Sequence, residues 1–213
     1  MQAGVSCGGC IMYHNALSQE SSVVQNRICS PVWGADPASP DEPRHWLYQL
    51  LHLFIQGKGR LPEMMGLDAT TFIRLCDEAA LSEGVDHCDE ALLDRRQLIG
   101  ALLASRQQER DDLCHWLLQF AVPGAEQMAS IIATASMGFN HLWEDLGLAS
   151  RAQLRELIQC CFPTLIAMNE QNLRWKKFFY RQLCEAQGAY LCRAPSCHAC
   201  YERSNCVEPQ IDN

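Results

Sequence analysis

Four cysteines lie within fifteen residues near the C-terminus, and their spacing is typical of metal ligands. They are Cys192, Cys197, Cys200 and Cys206, in the pattern C-x4-C-x2-C-x5-C. A segment this short cannot form a hydrophobic core of its own, so bringing four thiols together requires a polyvalent ligand. Thiolates bind soft or borderline metals, and the pattern therefore predicts a metal centre.

The spacing also distinguishes between kinds of centre. The first three cysteines match the C-x4-C-x2-C run of plant-type ferredoxins, whereas the fourth does not. A structural zinc site more often has two C-x2-C pairs separated by a longer loop. The pattern therefore favours an iron–sulfur type of cluster over structural zinc, and either metal over a disulfide pair.

Basic side chains are concentrated just before and within this segment. Arg174, Lys177 and Arg181 are spaced i, i+3 and i+7, so they share one stripe of a predicted last helix. A thiolate-bound sulfide cluster is anionic, and so is an oxoanion such as molybdate, so these cations could stabilise either one. A solvated basic face near a helix C-terminus fits the pattern equally well. His198 lies between two of the cysteines and is expected to donate a hydrogen bond to a cluster sulfur rather than to ligate.

Two further pairs of residues could bind a metal, and a structural role is favoured for both. His141 and Glu144 share a helical face and could hold a metal or an oxoanion, but a capped turn with a buried Trp143 is the preferred interpretation. Cys7 and Cys10 form a C-x-x-C pair outside any helical or strand pattern, which favours a tail without specific chemistry over a redox handle. The cysteines expected to be structural are Cys76, Cys88, Cys114, Cys184 and one of Cys160 and Cys161.

Composition excludes several classes of function. The 213-residue chain has a formal charge of −8, which argues against a nucleic-acid partner. It has no apolar run long enough to span a membrane and no signal-peptide pattern, so a cytoplasmic protein with reduced thiols is expected. Phosphate-binding glycine loops, nucleophile motifs and zinc-protease motifs are absent, and the chain is not expected to be an enzyme.

The hydrophobic periodicity predicts an all-α fold, an irregular bundle of about seven helices that leads into the cysteine-rich loop. Predicted caps are Ser39, Asp68, Asn140 and Ser150. Pro163 is expected to interrupt the chain, and the last helix is expected over residues 169–186. The predicted organisation is an irregular N-terminal tail and linker (1–40), a helical domain (41–190) and a cysteine-rich metal-cluster loop and tail (191–213).

Three segments together resemble the NifQ proteins of nitrogen fixation. They are Asn140–Leu148, Asn172–Cys184, and the cysteine motif itself. The resemblance covers about residues 45–208 and is most specific from Asn169 onward, whereas Cys7 and Cys10 lie outside it.

This resemblance implies a specific role in nitrogen fixation. It implies a molybdenum–iron–sulfur cluster carrier that supplies molybdenum for biosynthesis of the nitrogenase iron–molybdenum cofactor. The implied partners are molybdate, the nitrogenase cofactor-assembly scaffold complex and the nitrogenase iron protein. The family's cysteine motif maps onto the four cysteines described above. Two alternatives remain: a ferredoxin-like electron-transfer protein, and a helical interaction protein with a structural zinc site.

Overall fold

The computed structural model describes residues 42–81 and 89–186, and these residues are helical without a strand, as predicted. The predicted tail and linker, Cys88, and the cysteine-rich segment lie outside the described residues. None of the helices in the described ranges is long and apolar enough to cross a membrane. The helices are α1 (Pro43–Ile55), α2 (Ala69–Glu78), α3 (Glu90–Leu103), α4 (Gln107–Leu118), α5 (Glu126–Ser136), α6 (Leu142–Asp145), α7 (Arg151–Cys161), α8 (Pro163–Met168) and α9 (Trp175–Ala186), with short 3-10 helices at Glu63–Gly66 and Ala104–Arg106.

Two of the predicted helix caps are confirmed, because each depends only on a local hydrogen bond. The Asp68 carboxylate accepts from the Thr71 backbone N–H at 2.9 Å, and this bond begins α2. The Ser150 hydroxyl accepts from the Gln153 N–H at 3.2 Å and begins α7. The predicted cap of α1 at Ser39 is wrong: Glu42 is the N-cap, because the ring of Pro43 occupies the first helical turn.

The chain between α7 and α9 differs from the prediction. Pro163 does not merely interrupt a helix but begins the short helix α8, since proline suits the first helical position. The last helix does not start at Asn169. The Asn169 side chain accepts a hydrogen bond from the Leu173 N–H through its Oδ1 and donates one to the Leu173 carbonyl through its Nδ2, each at 2.9 Å. Within this turn Asn172 has a positive φ of 48°. This turn delays the start of α9 to Trp175.

Helix α5 is the centre of the core. Eight of its eleven residues are buried, and the helix contacts α1, α4, α6 and the first 3-10 helix. Its small residues Ala129, Ala133 and Ala135 allow these neighbours to approach closely. Helix α9 contacts α4, and its aromatic residues Trp175, Phe178, Phe179 and Tyr180 are all buried. The last described helix is therefore an integral part of the core.

Two glycines allow the chain leaving α1 to cross the chain leaving α6. Gly59 and Gly147 have φ values of +76° and +78°. A Cβ on Gly59 would lie 2.7 Å from the Asp145 carbonyl oxygen, and one on Gly147 would lie 2.9 Å from the Gly59 nitrogen. The same carbonyl accepts the Arg60 N–H at 2.8 Å. The crossing therefore fixes α6, which carries part of the polar cluster described below.

Replacing Gly59 by Ala is expected to lower the free energy of unfolding by about 2–4 kcal/mol. The strain of an alanine at a positive φ and the overpacking caused by its Cβ both contribute to this loss. Gly124→Ala is the matched control, because Gly124 has a φ of +87° but a Cβ at this position would have no atom within 4 Å. That control should lose only about 1 kcal/mol from backbone strain. Urea unfolding of both variants measures the difference, and equal losses would contradict the close crossing.

Candidate functional site

Helix α9 is the element that the chain follows into the cysteine motif. The helix ends at Ala186, six residues before Cys192. The four predicted cysteine ligands and His198 lie outside the described residues, so their mutual geometry stays a prediction. Within the described residues, a buried polar cluster lies at the start of α9.

The centre of this cluster is an ion pair between Lys176 and Asp145. The Lys176 Nζ lies 2.6 Å from the Asp145 Oδ2, and the two side chains are 15% and 1% exposed. The Lys176 ammonium also donates to the Gly138 carbonyl at 2.9 Å, while the Asn140 side-chain amide donates to the Asp145 Oδ1 at 2.9 Å. Burial lowers the pKa of Lys176, although the neighbouring Asp145 acts in the opposite direction. The pair joins the first turn of α9 to α6 and to the end of α5.

A second set of bonds joins α9 to the same end of α5. The Tyr180 hydroxyl donates to the Ser136 carbonyl at 3.0 Å and accepts from the Arg106 guanidinium at 2.6 Å. Arg106 also donates to the Met137 carbonyl at 2.6 Å and pairs with Glu109 at 2.9 Å. Since both sets reach the C-terminal end of α5, the first half of α9 is fixed at two points on the core.

His141 and Glu144 have a structural role. His141, not the predicted Asn140, is the N-cap of α6, and its backbone N–H donates to the Glu144 carboxylate at 2.9 Å. Trp143 is half-buried rather than buried. Burial lowers the pKa of His141; Arg174, Arg151 and Lys176 lower it further, and Glu144 opposes them. The capped-turn interpretation thus accounts for the Glu144 carboxylate.

The predicted basic stripe is divided among different environments. Arg174 is half-buried and takes the N-cap position of α9, where its carbonyl accepts the Phe178 N–H at 2.9 Å. Lys177 is half-buried one turn later. Arg181 is exposed and pairs with Glu185 at 2.7 Å, so for this residue the solvated-face interpretation fits. Contact of any of the three with the cysteine motif stays a prediction.

Two of the cysteines in the described residues, Cys76 and Cys161, are buried thiols. Cys76 is buried, and burial raises its pKa to about 11. Of the adjacent pair, Cys161 is fully buried and Cys160 half-buried, as the sequence predicted for one of them. Within residues 42–81 and 89–186, no group of three or more His, Cys, Asp or Glu side chains is placed to hold a metal ion.

Sequence reasoning missed the role of Lys176. It counted this residue only as one of several cations near the motif, because lysines are usually solvated. A signal was present: Lys176 is spaced i, i+4 and i+7 with Tyr180 and Leu183, so helical periodicity places it beside apolar residues. Such a lysine needs a buried acid, and Asp145 follows Glu144 in the turn that ends at Gly147.

Fold and sequence together define an all-α protein in which α9, the last helix of the described residues, is joined to the core by a buried polar cluster and precedes a four-cysteine motif in the sequence. The NifQ family model matches residues 46–208, which include all four motif cysteines. The chain belongs to the NifQ family, and its role is in nitrogen fixation.

Relatives of the chain carry the same family name. Protein NifQ of Klebsiella pneumoniae is 49% identical over 167 residues, which cover 78% of this chain and 99% of that protein. Protein NifQ of Azotobacter vinelandii is 37% identical over 185 residues, or 80% of this chain and 91% of that protein. Protein NifQ of Rhodobacter capsulatus is 48% identical over 103 residues, or 48% of this chain and 57% of that protein. No solved structure matches the chain significantly.

Proposed function

We propose that this protein carries a molybdenum–iron–sulfur cluster on Cys192, Cys197, Cys200 and Cys206 and supplies molybdenum for the nitrogenase iron–molybdenum cofactor. The observation that carries the proposal is the four-cysteine motif, which lies inside the residues that match the NifQ family. The cluster is the cargo of the protein and is passed on intact or in part. The protein acts as a carrier and not as an enzyme.

The chemistry of the donor set suits such a cargo. Thiolates are soft ligands that bind iron, and bridging sulfides can join that iron to molybdenum. A carrier must release what it binds, so its ligands should lie in a segment that a partner can reach. Four cysteines within fifteen residues can supply such a ligand set from one short segment.

Positive charge near the motif would favour an anionic cargo. Arg174, Lys177, Arg181 and His198 are the proposed supporting residues, because cations and N–H donors stabilise the negative charge of cluster sulfides. Arg181 contributes less to this set than an unpaired cation would, because it shares its charge with Glu185. The proposed partners are molybdate, the nitrogenase cofactor-assembly scaffold complex and the nitrogenase iron protein, in the cytoplasm.

Metal analysis of protein purified without oxygen tests this proposal. Iron, sulfide and molybdenum should all be present, and electron paramagnetic resonance should detect a paramagnetic cluster in at least one oxidation state. Incubation with the scaffold complex should then lower the molybdenum content of this protein and raise that of the scaffold. Zinc at one ion per chain, with no iron or sulfide, would contradict the proposal.

One alternative function remains, a ferredoxin-like electron carrier, because the spacing C-x4-C-x2-C also occurs in plant-type ferredoxins. That protein would hold a stable iron–sulfur cluster with a reversible one-electron wave. It would contain no molybdenum and would transfer none to the scaffold. The same purified sample therefore separates the two functions.

A further inference from the structure

A cavity lies where α3, α4, α5 and the first 3-10 helix meet. Its volume is about 230 Å³, and each of these four elements contributes to its lining. A single water molecule needs only about 15 Å³, whereas pockets for drug-sized molecules begin at about 300 Å³. The cavity therefore suits a ligand of a few non-hydrogen atoms.

One wall of the cavity is formed by strained backbone. Met64, Met65 and Gly66 are three consecutive residues with left-handed φ values of 57°, 59° and 83°. Residues with a Cβ rarely adopt this conformation, and strain of this kind is concentrated at ligand sites. The turn directs the Gly66 carbonyl toward the neighbouring helices, where it accepts from Arg110 Nη1 at 3.2 Å and from the Ser130 hydroxyl at 2.9 Å.

Arg110 has N–H donors that the described residues do not use. It lines the cavity and is half-buried. Its Nε and Nη2 donate to the Asp111 carboxylate at 3.0 and 2.5 Å, and its Nη1 donates to the Gly66 carbonyl. A guanidinium has five N–H donors, so within residues 42–81 and 89–186 two of the five are left for a ligand.

The rest of the lining is an amide on one side and apolar groups on the other. The Gln107 side-chain nitrogen lies 3.4 Å from both carboxylate oxygens of Asp111, which is long for a hydrogen bond, so it can turn toward a ligand. The apolar side chains of the lining include Pro62, Leu103 and Met137. A complementary ligand therefore has oxygen acceptors at one end and carbon atoms at the other.

The charges near the cavity distinguish between kinds of anion. Arg110 is paired with Asp111 at 2.5 Å. Arg106, which donates to the Met137 carbonyl, is paired with Glu109 at 2.9 Å. Each cation is thus offset by a carboxylate, and binding has to come from direct N–H donation rather than from excess positive charge. A planar carboxylate with one charge matches a guanidinium fork and suits this site better than a doubly charged inorganic oxoanion without an apolar part.

We infer that this cavity binds a small organic monocarboxylate. The carboxylate accepts from Arg110 and Gln107, and the carbon atoms contact Pro62, Leu103 and Met137. The ligand would join the first 3-10 helix to α3, α4 and α5, and would stabilise the fold by mass action. The inference goes beyond the proposed function and does not depend on the cluster cargo.

Butyrate is the probe for this site, because it has one carboxylate and a short apolar chain. Isothermal titration calorimetry of the full-length protein, purified without oxygen, should give a Kd of about 0.1–1 mM, which is typical of a ligand with so few atoms. Sulfate and molybdate lack the apolar part, and 1-butanol lacks the carboxylate. All three should bind at least about 10-fold more weakly than butyrate.

Arg110→Met tests the role of the guanidinium. It should raise the Kd for butyrate about 10- to 100-fold, because it removes charge-assisted hydrogen bonds. The Gly66 carbonyl keeps its bond from the Ser130 hydroxyl, so the strained turn retains a partner. Arg74→Met is the matched control: Arg74 is an exposed arginine on α2, paired with Glu78 at 2.6 Å and outside the cavity lining. Its replacement should leave the Kd unchanged.

Gly100→Leu tests the cavity itself and leaves every donor in place. Gly100 lies on α3 and lines the cavity, and a Cβ at this position would lie 3.7 Å from the Pro62 Cβ, an ordinary van der Waals distance. Leucine should fill the space and raise the Kd for butyrate at least about 100-fold. Gly100→Ala adds one methyl group and should retain most of the binding. Since both residues form helices better than glycine does, urea unfolding should show both variants at least as stable as the parent.

Four outcomes would overturn the inference. They are no binding of butyrate by the parent, equal Kd values for the parent and Arg110→Met, unchanged binding by folded Gly100→Leu, and tighter binding of molybdate or sulfate than of butyrate. The last result would make the cavity an inorganic oxoanion site. Metal content is measured separately, so a cluster-free protein that binds butyrate in this cavity would refute the cargo proposal alone.

Discussion

Replacing Lys176 by Met is expected to lower the free energy of unfolding by about 3–5 kcal/mol, because it leaves a buried carboxylate without its countercharge. The Asp145 side chain is 1% exposed, so water cannot replace the lost ammonium group. Methionine is apolar and of similar length, which keeps the cavity small and isolates the electrostatic cost. Urea unfolding followed by circular dichroism measures the change.

Arg181→Met is the matched control on the same helix. Arg181 also forms an ion pair, with Glu185 at 2.7 Å, but its side chain is 51% exposed. Exposed pairs four residues apart contribute only about 0.3–0.5 kcal/mol, so this variant should unfold almost like the parent. If Lys176→Met costs no more than Arg181→Met, the buried ion pair does not fasten α9 to the core.

The double variant Lys176→Met with Asp145→Asn distinguishes a lost charge from lost packing. An asparagine carbonyl can still accept from the Asn140 amide but carries no buried charge. The double variant should therefore be more stable than the sum of the two single losses, by about 1–3 kcal/mol of coupling free energy. Additive losses would mean that Lys176 does not act through its ion pair with Asp145.

The sequence predicts those features of the fold that depend on neighbouring residues. The caps at Asp68 and Ser150 each need one hydrogen bond over three residues, and the structure has both. The all-α class follows from the period of the apolar residues, which a window of about twelve residues already shows. The structural role of Cys161 follows in the same way from its place on the apolar face of α7.

Features that depend on distant residues could not be predicted in this way. Lys176 and Asp145 are thirty-one residues apart, so no local pattern shows that they pair. The start of α9 was misplaced because the amide of Asn169 closes a turn with Leu173, which competes with helix formation.

The candidate metal centre, by contrast, can be predicted almost entirely from residues that are close together in the sequence. Four thiols spaced by four, two and five residues specify a donor set without any knowledge of the fold. Spacing alone cannot tell an iron–sulfur cluster with molybdenum from one without it, because thiolates bind the iron in both. That distinction depends on the composition of the cargo and has to be measured.

Replacing Cys197 by Ser is expected to lower the iron and molybdenum content of the purified protein by at least about 10-fold, because a ligand should matter at least as much as its outer-shell partners. Serine keeps the size of the side chain but substitutes a hard, protonated oxygen for a soft thiolate. Maturation of the nitrogenase cofactor at limiting molybdate should be abolished in cells that carry only this variant. Inductively coupled plasma analysis and nitrogenase activity provide the two readouts.

Cys114→Ser is the control for a general effect of losing a thiol. Cys114 is a half-buried thiol on α4, outside the motif, so its replacement should leave metal content and maturation unchanged. Because the core of the described residues, from Trp46 to Tyr180, is built from apolar side chains, Cys197→Ser should keep the parent's helical spectrum and urea midpoint. If the motif held structural zinc instead, Cys197→Ser should lose both its metal and its helical order near the C-terminus. Normal cofactor maturation by Cys197→Ser at limiting molybdate would contradict the carrier function, because the cargo would then have no need of its thiolate ligand.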